Sequence, residues 1–201
     1  MVGGWHGVKM RSGPESVQCG NAAPVRLFHF SADGGIDVFD PRPVRVPAAR
    51  PPGQAWLNGP LVWAIDEAHS PMYFFPRECP RILLWPTPRS TDEHIRRFWR
   101  GSSARMIAFI EAGWAERHAR EALWRYEFDA AGFNDVRDVG MWVSRETVRP
   151  IGRERIGDLP ARLAEADVEL RVLPDLLPLK NVWETSLHAS GIRLRNAQGW
   201  I

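Results

Sequence analysis

Apolar residues along this chain come mostly in short runs closed by turn residues, and only a few stretches recur at helical spacing. Residues 25–30, bounded by Pro24 and by Ser31-Ala32-Asp33-Gly34-Gly35, have the form of a buried strand ending in a turn. Residues 61–65 (LVWAI) repeat that form, and Asp66 is placed to cap a short helix over 67–75, which Pro71 must interrupt or start. Arg81–Trp85 is a third strand, closed by Pro86 and Pro88. Ser90 and Glu93 have capping-box spacing ahead of Ile95, Phe98 and Trp99, which predicts a helix. After Gly101, Met106, Ile107, Ile110, Trp114 and His118 fall largely on one face and predict a second helix. Strands are predicted over 123–128, 141–143 and 148–151. A short helix over 159–166, a strand over 168–173 and a helix over 176–183 complete the tail.

Strands outnumber helices and cluster instead of alternating with them. The pattern therefore predicts an α+β fold, a single domain with a mostly antiparallel sheet and helices packed on it. No GxGxxG follows a strand and no GxxxxGK[ST] occurs, so dinucleotide-fold and P-loop readings lose their support. Residues 39–59 are rich in proline and arginine and predict a stiff surface excursion. Residues 1–24 show no sustained periodicity and are expected to form a loosely ordered extension before a domain over 25–201.

At 201 residues and 44% hydrophobic content the chain can bury a sizeable core. The 26 basic and 24 acidic residues leave a formal charge of +2, too little to steer the chain onto nucleic acid or an anionic membrane. Nucleic acid enters only as an RNA end or a nucleotide. Cys19 and Cys79 form no CxxC or zinc-type spacing, and no window reaches the ~18 apolar residues of a membrane span. The expectation is a soluble cytoplasmic protein with no metal. Asp66, Glu67 and His69 lie close in sequence but lack the further ligands a zinc site needs.

Two stretches place polar side chains inside apolar elements: Leu27-Phe28-His29-Phe30-Ser31, and residues 62–75, VWAIDEAHSPMYFF. Over Leu27 to Ala197 the chain resembles a bacterial family of domains of unknown function (6886), through LFHFS, VWAIDEAHSPMYFFPRECPR, GMWVSRE and SGIRLRNA. That resemblance implies no activity. The element order over residues 25–151 more distantly resembles the ADP-ribosyltransferase superfamily. It runs from a strand ending in His-Phe-Ser to a strand-helix unit, and then to Trp142-Val143-Ser144-Arg145-Glu146.

The second resemblance implies a split sheet and an enzyme that binds NAD or a related nucleotide and cleaves or transfers at its N-glycosidic or phosphate centre. It assigns His29 and Ser31 to the ribose and Glu146 to the developing sugar cation, with Asp135 and Asp138 as alternatives. Trp63 or Tyr73 would stack on the nicotinamide, and Arg77 or Arg81 would clamp the pyrophosphate. The chain departs from the superfamily in having no tyrosine on the strand of its second motif.

Read as plain structure, His29 is a hydrogen-bonded strand histidine, Glu146 an exposed ion pair with Arg145, and Trp63 and Tyr73 are core. The alternative function is a non-catalytic domain binding a nucleotide, an RNA end or a protein, with Arg193 and Arg195 on one face of an extended segment suited to phosphate. Cys79, bracketed by Arg77 and Arg81, is either a nucleophile partnered by His69 or His29, or a buried inert thiol.

Overall fold

The computed structural model describes residues 24–44, 47 and 49–200. The expected loose extension, apart from Pro24, lies outside the described residues, as does Cys19. Ten strands occur in chain order among the described residues: β1 (Leu27–Ser31), β2 (Val62–Asp66), β3 (Arg81–Trp85), β4 (Met106–Glu111), β5 (Leu123–Phe128), β6 (Asn134–Asp135), β7 (Met141–Ser144), β8 (Gly152–Ile156), β9 (Val168–Leu173) and β10 (His188–Ile192). Among the described residues three α-helices join them: α1 (Asp92–Trp99), α2 (Ala112–Arg120) and α3 (Leu159–Glu165).

The strands form two sheets, one of six strands in the order β6-β7-β2-β1-β5-β8 and one of four in the order β10-β3-β4-β9. Every pairing is antiparallel except β4 with β9. The fold is mixed α+β with mostly antiparallel sheets, as the clustering of strands predicts.

Strand alternation decides which side of each sheet is covered by what. Phe28 and Ile65 of the large sheet meet Leu83, Met106, Ala108 and Ile110 of the small one, and Leu159 and Leu163 of α3 close the same core. On the far side of the small sheet, Ile82, Leu84, Ile107 and Phe109 pack under Trp99 of α1 and the 176–187 segment. On the far side of the large sheet, Leu27, Val62, Ala64, Tyr126 and Phe128 gather around Phe39 and Phe133. The strands of the small sheet's centre are thus buried on both faces.

That double burial explains the one large departure from the sequence reading. Residues 106–118 are a strand followed by a helix, because β4 is inserted between β3 and β9 and all six of its residues are buried. A run that is apolar on every face satisfies a helical template by accident. Smaller departures follow proline and local hydrogen bonding. Pro71 opens a single 3-10 turn, Ser70–Tyr73, in place of a longer helix. Pro178 leaves two separate 3-10 turns, Leu177–Leu179 and Val182–Glu184, where one helix was predicted.

Thr91, not Ser90, caps α1 by accepting from the His94 amide. Ser90 Oγ is instead committed to the Thr87 amide and the Ser186 carbonyl. Val148 makes only an isolated bridge with Phe39, and the strand begins beyond Pro150, at Gly152. Among the described residues no helix is long and apolar enough to cross a membrane.

Candidate functional site

The site begins where β1 and β2 part. Leu27 pairs with Asp66 and Phe28 with Ile65, and the ladder between these strands then stops. On its other side β1 stays paired with β5 through all five residues. Beyond Phe28 the gap is spanned by a side chain: the His29 ring sits 3.0 Å by its Nδ1 from the Trp63 carbonyl. A carbonyl only accepts, so Nδ1 carries the proton and Nε2 is left as an acceptor. Burial pushes the His29 pKa down, the bond to Trp63 opposes that, and the nearby Arg77 charge adds to the depression. The ring is therefore neutral near pH 7.

The parting opens a cavity of about 80 Å³ lined by Phe28, His29, Phe30, Trp63, Ala64, Ile65, Tyr73 and Met141. Phe30 and Tyr73 lie almost parallel, at 6° with centroids 6.0 Å apart, and Phe74 meets Phe30 edge-on. The Tyr73 hydroxyl donates to Met141 Sδ at 3.8 Å, and burial raises its pKa, so it remains a neutral phenol. The indole Nε1–H of Trp63 is buried with no partner. An unsatisfied buried donor costs about 1–3 kcal/mol, and native structures keep few of them.

The sequence-derived candidates divide sharply. His29, Trp63 and Tyr73 come together in this cavity. Arg81 stands behind it, 3% exposed, donating to the Met72 and Cys79 carbonyls at 2.8 and 3.0 Å and lying 5.6 Å over the Tyr73 ring. Burial lowers its pKa to about 10, so it stays charged at neutral pH. Its bonds tie the 72–79 segment to the cavity wall, and a group so enclosed is not free to clamp a pyrophosphate. Arg77 is exposed at the end of that segment, with its charge felt at His29.

Ser31 is buried and spends its Oγ on the Asp33 amide, closing the turn after β1, and it does not line the cavity. Glu146 is exposed beyond the end of β7 opposite to Met141, its amide bonded to Ser144 Oγ. The structure does not bring it to the cavity that His29 lines. Asp135 is turned to its own loop, accepting from the Arg137 amide. Asp138 is the carboxylate of the three whose charge is felt at Tyr73, and it is also felt at His188.

Two other readings lose their geometry. Cys79 is fully buried, its thiol 3.6 Å from the Pro80 carbonyl, and burial pushes its pKa up to about 12. It is a thiol at neutral pH and no nucleophile. Asp66 accepts from both the amide and Nδ1 of His69 at 2.8 Å, while Glu67 is paired with Arg26. Among the described residues, no group of three or more His, Cys, Asp or Glu is placed to hold a metal ion.

Phe30 and Met141 belong to the cavity and were not singled out from sequence. Phe30 had a signal, since alternation from buried Phe28 puts it on the same face of β1. Met141 had none, because its place depends on pairing opposite Ile65.

The chain belongs to a family of unknown function, DUF6886, which matches residues 28–197. No curated protein and no solved structure matches it.

Proposed function

We propose that this member of the family seats one planar ring of a nucleotide, the nicotinamide of NAD or a related heteroaromatic base, in the cavity between β1 and β2. The observation that carries this reading is a cavity with aromatic walls, one of them Trp63, whose buried Nε1–H has no partner. A carboxamide or ring carbonyl is an acceptor for that donor, and the neutral His29, its ring against Phe39 at 5.0 Å, bounds the cavity at the parting of β1 and β2. Phe30 and Tyr73 supply faces for stacking. One buried water needs about 10–15 Å³, so a cavity of 80 Å³ has room for roughly five to eight waters. That suits a single substituted ring and not a whole dinucleotide, whose sugar and phosphates would lie outside.

Transfer chemistry of the ADP-ribosyltransferase kind is a second reading, and the observation favouring it is the place of Asp138, whose carbonyl accepts at 3.0 Å from the amide of Met141 in the cavity wall. When the C1′–N bond breaks, its electron pair leaves with the ring nitrogen and positive charge develops on the sugar. A carboxylate beside that centre stabilises it, and water or an acceptor hydroxyl then bonds to C1′ and gives up its proton. In this reading Asp138 takes the part that the resemblance assigned to Glu146. The split between β1 and β2 accords with the sheet that the resemblance implies.

The test is calorimetric titration of the protein with nicotinamide and NAD, beside Trp63→Phe, which keeps an aromatic ring and removes the N–H. Loss of one neutral hydrogen bond predicts about three- to tenfold weaker binding. Titration of Glu146→Gln is expected to match wild type. A flat response to both compounds, or equal affinity in Trp63→Phe, overturns the ring-seating reading. Free nicotinamide appearing from NAD, and its loss in Asp138→Asn, would establish the transfer step.

A further inference from the structure

Beside the cavity wall, one exposed corner of the molecule carries three guanidiniums and one carboxylate. Glu78 Oε2 accepts from Arg195 Nη2 at 3.3 Å and from Asn196 Nδ2 at 3.1 Å, and Arg193 Nε stands 3.6 Å from Oε1. Asn196 also donates to the Glu78 carbonyl at 2.8 Å, and Arg193 to the Arg77 carbonyl at 3.2 Å. The convergence is built into the backbone. After β10, Arg193 takes a left-handed conformation (φ 58°) that starts the turn Leu194–Asn196. Had the strand continued, residues 193 and 196 would face opposite ways, whereas the turn directs the donors of 193, 195 and 196 to one carboxylate.

The corner abuts the cavity. Ile192, immediately before it, is paired opposite Arg81, whose guanidinium lies over Tyr73. Arg193 is near enough for its charge to be felt at the Tyr73 hydroxyl, and Arg77 near enough to be felt at His29 and Glu78. Arg77 makes no side-chain hydrogen bond or ion pair among the described residues, so the corner holds more cationic charge than Glu78 neutralises.

We propose that Arg77, Arg193, Arg195 and Asn196 form an anion site that Glu78 fills with its own carboxylate, and that a phosphate group of the ligand displaces it. The anion site stands on the corner's geometry alone, and the source of the phosphate rests on the ring-seating reading above. Displacement is easy because the Glu78 side chain is 45% exposed, and ion pairs at that exposure are weak. A phosphate brings more charge and more acceptor oxygens to the same donors, and guanidiniums grip it bidentately. Glu78 is thus an internal competitor that holds the donors in place when no ligand is bound and sets a threshold for anion binding.

Calorimetric titrations of the full chain with sodium pyrophosphate, nicotinamide riboside and NAD, on wild type, Glu78→Gln and Arg193→Gln, decide it. Glu78→Gln is expected to bind pyrophosphate and NAD about tenfold tighter than wild type, because charge-assisted donors are released from a competing carboxylate. Arg193→Gln is expected to bind both more weakly, and neither variant should change riboside affinity. Unchanged or weaker pyrophosphate binding in Glu78→Gln overturns the anion site. Tighter pyrophosphate binding in Glu78→Gln with no riboside binding to any protein keeps the anion site and overturns the ring-seating reading. Both side chains are partly exposed, and an unaltered melting temperature verifies that each variant is folded.

Discussion

Gly140 is a position where a single methyl group should be felt strongly, through both backbone and side-chain contacts. Its φ is +71°, and a Cβ there would stand 2.4 Å from His69 Nδ1 and 2.7 Å from each carboxylate oxygen of Asp66. Its carbonyl also accepts from the Asp66 amide at 2.8 Å, so the loop cannot simply back away. In Gly140→Ala the left-handed backbone costs about 1–2 kcal/mol. The methyl must also part His69 from Asp66. That pair is half-buried, with side chains 26% and 24% exposed, so its loss costs about 1 kcal/mol, nearer a surface pair than an enclosed one. The sum is about 2–3 kcal/mol.

Urea unfolding followed by circular dichroism measures it, with the m-value expected unchanged and the midpoint lowered. Repeating the substitution in a His69→Ala background removes the loss of the ion pair and leaves the backbone strain and the close approach to Asp66, so the cost should fall by about 1 kcal/mol. A total cost under about 1 kcal/mol, or the same cost with and without the His69 ring, would refute the close packing argued here. Met141, next in the chain, lines the cavity, so the variant should also weaken any ring bound there.

Two further outcomes follow from buried groups. Burial lowers the pKa of His29, His118 and His188, and His118 is bonded to the Phe74 carbonyl through Nε2 with Nδ1 unpartnered. The folded protein then resists protons that the unfolded chain takes up below pH ~6.5, so stability is fully present above that pH. It falls as pH drops, by at most about 1.4 kcal/mol per pH unit for each histidine. Urea midpoints from pH 7.5 to 5 should fall, and His118→Gln should flatten the slope; a midpoint that rises on acidification would be fatal to this account. Cys79, with its pKa pushed up to about 12, should resist iodoacetamide at pH 8 in the native protein and react fully in urea. Peptide mapping reads this site by itself, and native labelling at the rate of a free thiol would contradict the burial.

Much of the fold was legible because local rules and tertiary demands agree over most of it. β3, β5 and β9 occupy the residues their patterns predicted, each a β-rich run between turn residues. Legibility failed at β4, where burial on both faces erased the periodicity that separates a strand from a helix. It failed at the cap of α1 because Ser186, 96 residues from Ser90, drew that hydroxyl away. In the candidate site, His29, Trp63 and Tyr73 stood out as polar or amphipathic side chains inside apolar elements, and they meet in one cavity.

By itself, then, the sequence determined most of the elements and their class, and the residues whose chemistry is out of keeping with a plain core. Each is fixed within a few residues of chain, by alternation, proline, and turn and cap propensities. Only the tertiary structure decided which of those residues share a space. It set Glu146 apart from His29, turned Arg81 from a clamp into a scaffold, sealed Cys79, and brought Arg193 to Glu78 across 115 positions of sequence. Those outcomes rest on strand order and register between distant segments. Such pairings depend on which faces must be buried together, and no local window of the chain records them.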